Sequence, residues 1–255
     1  MSVHFRPLKG LLGLFGTLWL ALTAGPARPV SSTATGPANM VALQFVGSVG
    51  GGVLAVALSG SVAFIGEGGA LTVLDVSDPV SPVRLARLPL PDSVQDVQVV
   101  GSLVYVADWD GLQIIDVSTP ANPTLAGRFD TPGNAQGVDV VGDLAYVADR
   151  FGGLQIVDVS KPATPVSIGN FDTTANARSV HVVGTRAYVA NAWAGLQIIE
   201  VSDPATPILR GAFNTPGYTY SVQAEGDLLY VADAYGELQI LRVLEHNLFL
   251  PLLRR

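Results

Sequence analysis

Polar residues that could do chemistry recur at one position of this chain, each directly after a Val-Ala pair. They are Asp108, Asp149, Asn191 and Asp233. Carboxylates that converge on a channel could bind Ca²⁺, which prefers oxygen ligands, or could serve as the acid and base of a glycosidase. Because the residue type recurs with its flanking sequence, we favour a structural role, in which each side chain accepts hydrogen bonds from N–H groups at its own hairpin.

A second acidic series precedes the Val-Ser dipeptides of the chain, and the same structural interpretation applies to it. Its members are Asp75, Asp116, Asp158 and, in the fourth copy, Glu200. The segment Asp108-Trp109-Asp110-Gly111 is too short for a calcium-binding loop. The chain has no cysteine, which excludes disulfides and zinc–thiolate sites. We expect neither a metal nor another cofactor.

His181 is the single histidine of the repeated region, since His4 and His246 lie near the two ends of the chain. A Ser-His-Asp triad would depend on this residue alone, and the sequence contains no G-x-S-x-G motif. Equivalent positions elsewhere are occupied by Ala57, Gln98, Asp139 and Gln223. This variability indicates a polar lining of a central channel, and we predict that the protein has no catalytic residue and is not an enzyme.

Large aromatic residues form another series, each three residues before the Leu of a Leu-Gln-Ile motif and 42 residues from the next. They are Trp109, Phe151, Trp193 and Tyr235. One interpretation is that each ring caps its hairpin or packs against the neighbouring sheet, because periodic aromatics often belong to the core. The alternative is a recognition surface, since exposed rings at loop tips are typical of binding sites.

Further polar and aromatic residues fall in the loops that share this end of the predicted sheets. Asp92, Asn134 and Gln136 belong to those loops. We predict a binding rim composed of Trp109, Arg150, Phe151, Trp193, Tyr235, Arg178, Tyr218 and Tyr220. Rings with scattered polar groups suit a sugar or an extended polypeptide, so the predicted partner is a protein or a glycan.

These positions are set by a unit of about forty-two residues that recurs along the chain. Its copies occupy residues 104–123, 145–165, 187–207 and 229–243, with a weaker copy at 63–82. The closing prolines of successive copies lie 41, 42 and 42 residues apart, at Pro82, Pro123, Pro165 and Pro207. Such a period indicates a supersecondary unit that cannot bury its apolar faces alone and must stack on its neighbours.

Four strands are predicted in each unit, because runs rich in Val, Ile and Tyr alternate with Gly, Asp and Pro. In the third copy they are Gly137–Val141, Leu144–Asp149, Leu154–Val159 and Val166–Phe171. Four short antiparallel strands per 40–45 residues are typical of a β-propeller blade. The prolines of the connectors belong to loops, since proline interrupts a central strand.

Five units make a five-bladed, all-β propeller with four-stranded antiparallel blades. The innermost strands are predicted to begin near Leu54, Gln95, Gln136, Arg178 and Tyr220. The last unit ends at Leu238–Val243 without an outer strand of its own. We predict that Leu43–Val46 supplies this strand, which would close the ring and pair an otherwise exposed strand edge that would be prone to aggregation.

The phrases LQIIDVS, LQIVDVS and LTVLDVSDP resemble the LVIVD repeat, a propeller-forming repeat of mostly exported bacterial and archaeal proteins. The resemblance covers residues 42–243, and four copies match well. It implies a propeller with no established common activity. The first copy departs from the pattern, because it has Gly66-Glu67-Gly68 where the other copies have Ala-Asp or Ala-Asn and an aromatic loop.

The N-terminus predicts export. Arg6 and Lys9 precede an apolar run, Gly10–Ala24, of secretory length, with small residues at Ala24 and Ala27 near a cleavage point. The run is too short to span a bilayer, so no transmembrane segment is expected. The net charge of −7, with two lysines in the chain, argues against nucleic-acid binding.

The predicted organisation is a signal peptide at residues 1–27, a flexible leader at 28–41, the propeller at 42–244 and an apolar, basic tail at 245–255. We expect a secreted or cell-surface monomer. Its predicted function is that of a non-catalytic binding or scaffold module that recognises a protein or glycan through one face, and a glycan-binding lectin is one form of it. The alternative is a carbohydrate-active enzyme that uses Asp108, Asp149 or Asp233.

Overall fold

The computed structural model describes Val46, Ser48 and residues 52–235 and 237–244 of the chain. Within these residues the protein is all-β and contains no helix. Nineteen strands form five antiparallel sheets that follow one another along the sequence. In each sheet the strands lie in chain order, so every connection within a sheet is a hairpin or short loop between neighbours.

The first three sheets have four strands each. Sheet 1 contains β1 (Val53–Ser59), β2 (Val62–Glu67), β3 (Ala70–Asp75) and β4 (Val83–Pro89). Sheet 2 contains β5 (Asp96–Val100), β6 (Leu103–Ala107), β7 (Gly111–Asp116) and β8 (Thr124–Asp130). Sheet 3 contains β9 (Gly137–Val141), β10 (Leu144–Ala148), β11 (Leu154–Asp158) and β12 (Val166–Phe171).

The last two sheets differ in strand number. Sheet 4 contains β13 (Ser179–Val183), β14 (Arg186–Ala190), β15 (Leu196–Glu200) and β16 (Ile208–Phe213). Sheet 5 contains β17 (Thr219–Glu225), β18 (Leu228–Asp233) and β19 (Glu237–Arg242). The strands predicted for the third repeat are therefore confirmed to within one residue at each end.

Apolar cores lie between successive sheets, because both faces of a sheet's middle strands are apolar. Between sheets 2 and 3, Leu112 and Ile114 pack against Val138, Val147 and Val157. Comparable cores join sheet 1 to sheet 2, sheet 3 to sheet 4, and sheet 4 to sheet 5. Each innermost strand thus packs beside the innermost strand of the next sheet, from β1 to β17.

Sheet 1 and sheet 5 each keep one apolar face uncovered in the described residues. Val97 is 6% exposed, whereas Val56, at the equivalent place in β1, is 63% exposed. At the other end, Ile240 of β19 is exposed, although its equivalents Ile114 and Ile156 are fully buried. The described residues therefore do not show a closed ring.

Several predicted segments lie outside the described residues. They are the signal peptide, the leader, the C-terminal tail and the closing strand Leu43–Val46, except that Val46 is described and is exposed and not part of a strand. In the described part of the chain, no helix of a length and hydropathy suited to crossing a membrane occurs.

Candidate functional site

In sheets 2 to 5, the polar residue after the Val-Ala pair hydrogen-bonds to the loop that enters the same sheet. Asp149 is fully buried, and its Oδ1 and Oδ2 accept hydrogen bonds from Thr131 Oγ1 (2.6 Å) and Gly133 N–H (2.7 Å). Asp233 Oδ2 likewise accepts from Gly217 N–H at 2.8 Å. The predicted loop-binding role is confirmed, but the donors lie in the loop that enters the sheet, 16 residues earlier, rather than in the hairpin itself.

The other two members of this series, Asp108 and Asn191, also contact the loop that enters their sheet, but through different atoms. Asp108 is also fully buried; its Oδ2 accepts from Asp92 N–H (3.4 Å) and its Oδ1 from Gln113 Nε2 (3.1 Å). Asn191 instead donates through Nδ2 to the Thr173 carbonyl oxygen. Burial raises the pKa of Asp108 to about 6 and raises the pKa of Asp149, because desolvation outweighs these hydrogen bonds.

The aspartates of the second acidic series cap the turns after the third strands of sheets 1, 2 and 3. Oδ1 of Asp75, Asp116 and Asp158 accepts a hydrogen bond of 2.8 Å from the N–H two residues later, as in Asx turns. Hydrogen bonds from Ser77, Ser118 and Ser160 lower the pKa of these three carboxyls. The structural interpretation is therefore confirmed for the three aspartates of this series.

The hairpin that follows the second strand of a sheet also bridges to the next repeat. Arg150 and Ala177 exchange two backbone hydrogen bonds, of 3.0 and 3.1 Å, and Thr219 N–H donates to the Ala192 carbonyl at 3.0 Å. Trp109 N–H makes the same kind of bond to the Ala135 carbonyl. Hairpin tips and entering loops therefore lie at one end of the sheets, as predicted.

One member of the aromatic series differs from the other three. The hairpin of sheet 2 is one residue shorter than those of sheets 3 and 4, so Trp109 takes the backbone place of Arg150 and Ala192 rather than that of Phe151. Its φ of 56° matches the left-handed values of 44° at Arg150 and 47° at Ala192. The uniform spacing of 42 residues conceals this shift, because the lost residue is compensated within the repeat.

The rings of the series are exposed rather than packed in the core. The exposed fraction is 37% for Trp109, 73% for Phe151, 67% for Trp193 and 78% for Tyr235. The rings are therefore not core residues, although Trp193 does contact Tyr235 of the next sheet. Buried Asp or Asn side chains and backbone hydrogen bonds already fix the conformation of the hairpins, so the rings are not needed to stabilise it.

Three of the predicted rim residues form a first rim cluster. The guanidinium carbon of Arg150 lies 5.4 Å from the centroid of the Trp109 ring and 5.0 Å from that of Phe151. Cation–π attraction of this kind orients the guanidinium without neutralising its charge. Residues of two successive repeats thus present a cation between two aromatic faces.

The five remaining rim residues form a second rim cluster. Arg178 lies 4.7 Å from the ring centroid of Tyr220 and 5.6 Å from that of Tyr218, and its Nη1 approaches the Tyr218 hydroxyl at 3.5 Å. Trp193 meets Tyr218 edge to face, with centroids 5.1 Å apart, and stacks on Tyr235. All eight predicted rim residues therefore belong to one of two clusters.

A mouth cavity opens where the innermost strands begin. It has a volume of about 320 Å³ and is lined by Leu54, Gln95, Asp96, Gln136, Arg178, Ser179, Tyr220 and Ser221. Five of these residues occupy the same position in the five repeats, at the predicted starts of the innermost strands. Arg178 and Tyr220 connect the cavity to the second rim cluster.

Asp96, Ser179 and Ser221 line this cavity without having been predicted from the sequence, and Asp96 is the ionisable one of the three. Its carboxylate accepts hydrogen bonds from the N–H groups of Val97 (2.9 Å) and of Val138 in the next sheet (3.0 Å). Burial raises the pKa of Asp96 to about 6 against these hydrogen bonds. No sequence signal marks it, since the equivalent residues in its neighbours, Ala55 and Gly137, are small and apolar.

His181 belongs to a polar ladder that crosses the innermost strands. Gln98 Nε2 donates to Asp139 Oδ1 at 3.0 Å, Asp139 Oδ2 lies 3.6 Å from His181 Nδ1, and Gln223 Nε2 lies 3.4 Å from His181 Nε2. Asp139 Oδ2 also accepts the N–H of Val182 at 2.6 Å. The variable polar series predicted to line a channel thus ties four neighbouring strands together.

Metal-binding geometry is absent from the part of the chain that the structure describes. Nowhere in it do three His, Asp or Glu side chains come close enough together to hold an ion. The carboxylates that could have formed such a site each face their own loop or the backbone of the next strand.

Comparison with known proteins identifies the repeat. A family model described as the LVIVD repeat matches residues 50–87, 91–131, 132–173, 175–215 and 216–243. These boundaries coincide with the five sheets and their entering loops. No curated protein matches the chain significantly.

Solved structures share the fold at low sequence identity. The computationally designed Ika8 protein is 10% identical with a TM-score of 0.63, and the match covers 75% of this chain and 58% of Ika8. This chain therefore spans less than two thirds of that protein. A functionally unknown protein from Desulfotomaculum acetoxidans DSM 771 is 14% identical with a TM-score of 0.59, over 76% of this chain and 70% of the other.

Proposed function

We propose, from the premise that this chain belongs to the LVIVD repeat family, that it is an exported, five-bladed propeller acting as a non-catalytic binding module. Its partner is a protein or a glycan outside the cytoplasm. The partner contacts the two rim clusters and the mouth cavity. The N-terminal segment Gly10–Ala24 supports export, since it has the length and composition of a signal peptide.

The exposure of the rim rings is the observation that carries this proposal. A ring contributes to stability mainly by leaving water, so large rings that stay in water at hairpin tips add little to the fold. Here such rings recur in four repeats, and the guanidinium groups of Arg150 and Arg178 lie over aromatic rings at the same end of the sheets. Aromatic and Arg side chains are the types enriched where binding energy concentrates.

The carbohydrate-active enzyme is the weaker alternative, because its candidate carboxylates are engaged elsewhere. Both oxygens of Asp108 and of Asp149 accept hydrogen bonds from the protein. A glycosidase needs two carboxyl groups about 5–10 Å apart that face a common open pocket. These side chains are buried, and each turns to its own loop.

Five blades also require the ring to close, and the uncovered apolar faces support this. Val56 of sheet 1 and Ile240 of sheet 5 would bury each other's faces as their equivalents do between the other sheets. Within the described residues sheet 5 has three strands, and Leu43–Val46 has the composition to supply a fourth. Such a strand would pair the free edge of β19.

A direct test uses glycan arrays and pull-downs from the native envelope or medium. The Trp109→Ala/Trp193→Ala double variant should lose binding that the wild type shows. The matched control is Val141→Ala/Val183→Ala, which removes exposed apolar side chains at the opposite ends of two innermost strands. Equal capture by both double variants and the wild type would contradict the proposal.

A further inference from the structure

We infer that the mouth cavity seats the carboxylate of an acidic sugar, a uronate unit of a polysaccharide. This inference rests on the proposed function, because it assigns a ligand to the rim that the function invokes. Among the described residues, three observations support it: buried hydrogen-bond donors that have no acceptor, an arginine that has no counter-ion, and the shape of the neighbouring aromatic surface.

Donors without acceptors point to a missing ligand atom. Gln136 is buried, and its Nε2 has no hydrogen-bond partner within the described residues. Nε of Arg178 is likewise buried and unpaired there. Both residues line the mouth cavity. A buried donor without an acceptor is costly, so an oxygen-rich group that accepts from both residues would stabilise the site.

The charge of Arg178 distinguishes a carboxylate from a neutral acceptor. Arg87, Arg128, Arg210 and Arg242, on outer or edge strands, each have a carboxylate oxygen within 4.0 Å. Within the described ranges, Arg178 has none and is held by the rings of Tyr218 and Tyr220 instead. A guanidinium oriented in this way is suited to bidentate binding of a carboxylate.

Asp96 is the carboxylate already present in the cavity, and both of its oxygens are engaged by backbone N–H groups. Its two oxygens accept the backbone N–H groups of Val97 and Val138. These bonds lie on the β5 and β9 side of the cavity, whereas Arg178 and Tyr220 enter from the two later sheets. Arg178 therefore supplies a positive charge on one side of the cavity, whereas the carboxylate of Asp96 on the other side is already hydrogen-bonded.

The aromatic surface beside the cavity favours a sugar over a peptide. Trp193 and Tyr235 lie with their planes 7° apart and remain largely exposed. Flat, solvated ring faces suit the C–H face of a pyranose ring. The cavity of about 320 Å³ is of a size for one such unit.

The test compares two forms of one polymer. Polygalacturonate and its fully methyl-esterified form have the same backbone, and only the first carries carboxylates. Calorimetric titration of the full chain should show at least about tenfold tighter binding to the acid form. Arg178→Gln should remove that preference, Gln136→Leu should reduce it, and Arg128→Gln, on the outer strand β8, should leave it unchanged.

Each outcome separates this inference from the proposed function. Equal binding of both polymers, unchanged in Arg178→Gln, would overturn the uronate assignment while leaving a binding rim. A preference for free carboxylates of short peptides over the polymer would also overturn it. Loss of the acid preference in Arg178→Gln but not in Arg128→Gln supports it. If Trp193→Ala/Tyr235→Ala binds both polymers like wild type, the proposed rim itself fails.

A second inference comes from a different part of the molecule, an apolar groove beside Gly211. The groove has a volume of about 270 Å³ and is lined by Leu196, Ile198, Gly211, Ala212, Phe213, Leu229, Leu241, Arg242 and Val243. In sheets 2 and 3 the equivalent glycines are covered. A Cβ at Gly127 would overlap the Pro162 carbonyl oxygen, and one at Gly169 would overlap that of Pro204.

The residues that cover Gly127 and Gly169 lie in the loop after the third strand of the next sheet, which we call the connector. They begin three residues after the valine that follows that strand, Val159 or Val201. Val159 and Val201 each donate their N–H to the preceding turn at 2.8 Å, and Pro162 and Pro204 follow. Val243 makes the same bond to Asp227. Residues 246–250, which are mostly apolar, begin at the same distance after Val243 in the sequence as the covering residues do after Val159 and Val201. We propose that they cover Gly211 and fill the groove.

Gly211→Ala in the full chain tests this directly. In the described residues a Cβ there meets only Ile198 Cδ1, at 3.9 Å, so an open groove would tolerate alanine. We expect a clear fall in Tm, comparable with Gly169→Ala. The cysteine-free chain also allows an Ala212→Cys/Asn247→Cys pair, which should cross-link under mild oxidation, whereas Ala212→Cys/Arg255→Cys should not. An unchanged Tm together with no selective cross-link would overturn the proposal.

Discussion

The indole ring of Trp193 lies parallel to the phenol ring of Tyr235, with centroids 5.9 Å apart and planes 7° apart. The two residues come from equivalent hairpins of sheets 4 and 5, 42 residues apart in the sequence. Because Tyr218 meets Trp193 edge to face, three residues of the second rim cluster share one aromatic surface. The stack fixes the orientation of rings that the core does not hold.

The first prediction concerns this stack. Trp193→Ala and Tyr235→Ala should each lower the free energy of unfolding by about 1 kcal/mol or less, because both rings are largely exposed. A double-mutant cycle by urea denaturation should give a coupling of about 0.5 kcal/mol. Pairing Trp193→Ala with Phe151→Ala of the first rim cluster is the control and should give additive effects. Additivity in both pairs would show that the rings do not stack in solution.

The second prediction concerns the loop anchor Asp149. Asp149→Ala leaves the Gly133 N–H and the Thr131 hydroxyl without their acceptor, so the free energy of unfolding should fall by about 2 kcal/mol. Asp149→Asn should cost less, since asparagine occupies the equivalent place at Asn191. Asp158→Ala, at a half-buried turn residue, is the control and should cost less than about 1 kcal/mol. Equal effects of the two alanine variants in urea denaturation would contradict the role of Asp149 as an anchor.

The third prediction is a pH dependence. The pKa values of Asp96 and Asp108 rise from 3.8 to about 6 on folding, so the folded protein binds these protons more tightly than the unfolded chain. Their contribution to stability is therefore fully present below about pH 4 and is lost as the pH rises to about 6. For Asp96 the loss is at most about 3 kcal/mol. The free energy of unfolding, measured from pH 4 to 7, should fall less steeply in Asp96→Asn; identical slopes would refute the assignment.

The fourth prediction concerns ring closure. Deleting residues 41–49 should lower Tm or cause aggregation, because it removes the strand proposed to cover the edge of β19. Val56→Asp should also lower Tm, as is expected of Val97→Asp at the buried equivalent, whereas Val141→Asp on an exposed strand end should not. Differential scanning calorimetry measures all four variants. A deletion variant with an unchanged Tm would contradict the proposal that this segment supplies the closing strand.

Strand positions were predictable because strand and turn chemistry is local. The third repeat's strands follow from runs of Val, Ile and Tyr between Gly, Asp and Pro, and the structure places them within a residue of the prediction. The loop-binding role of Asp149 was also predictable, because a buried turn carboxylate needs N–H partners. Its actual donor, Gly133, was not, since 16 residues of chain separate the two groups and only pairing of the strands brings them together.

Contacts between repeats were the part that the sequence left open. Spacing placed Trp109, Phe151, Trp193 and Tyr235 in one series but did not show whether the rings were buried. It also did not reveal that Trp109 takes the place of Arg150 in a shorter hairpin. Asp96 carries no periodic signal, and its importance comes from the Val138 N–H of another sheet.

By itself, then, the sequence determined five units of antiparallel strands, the end of the sheets where the rim residues gather, and the residue types available there. Those features depend on local propensity and on a repeated pattern. The tertiary structure alone decided that the rings stay exposed, that the guanidinium groups of Arg150 and Arg178 lie over their faces, and that Gln95, Gln136, Arg178 and Tyr220 share one cavity. The physical reason is that burial and pairing between repeats depend on how the sheets pack in space, which no single repeat encodes.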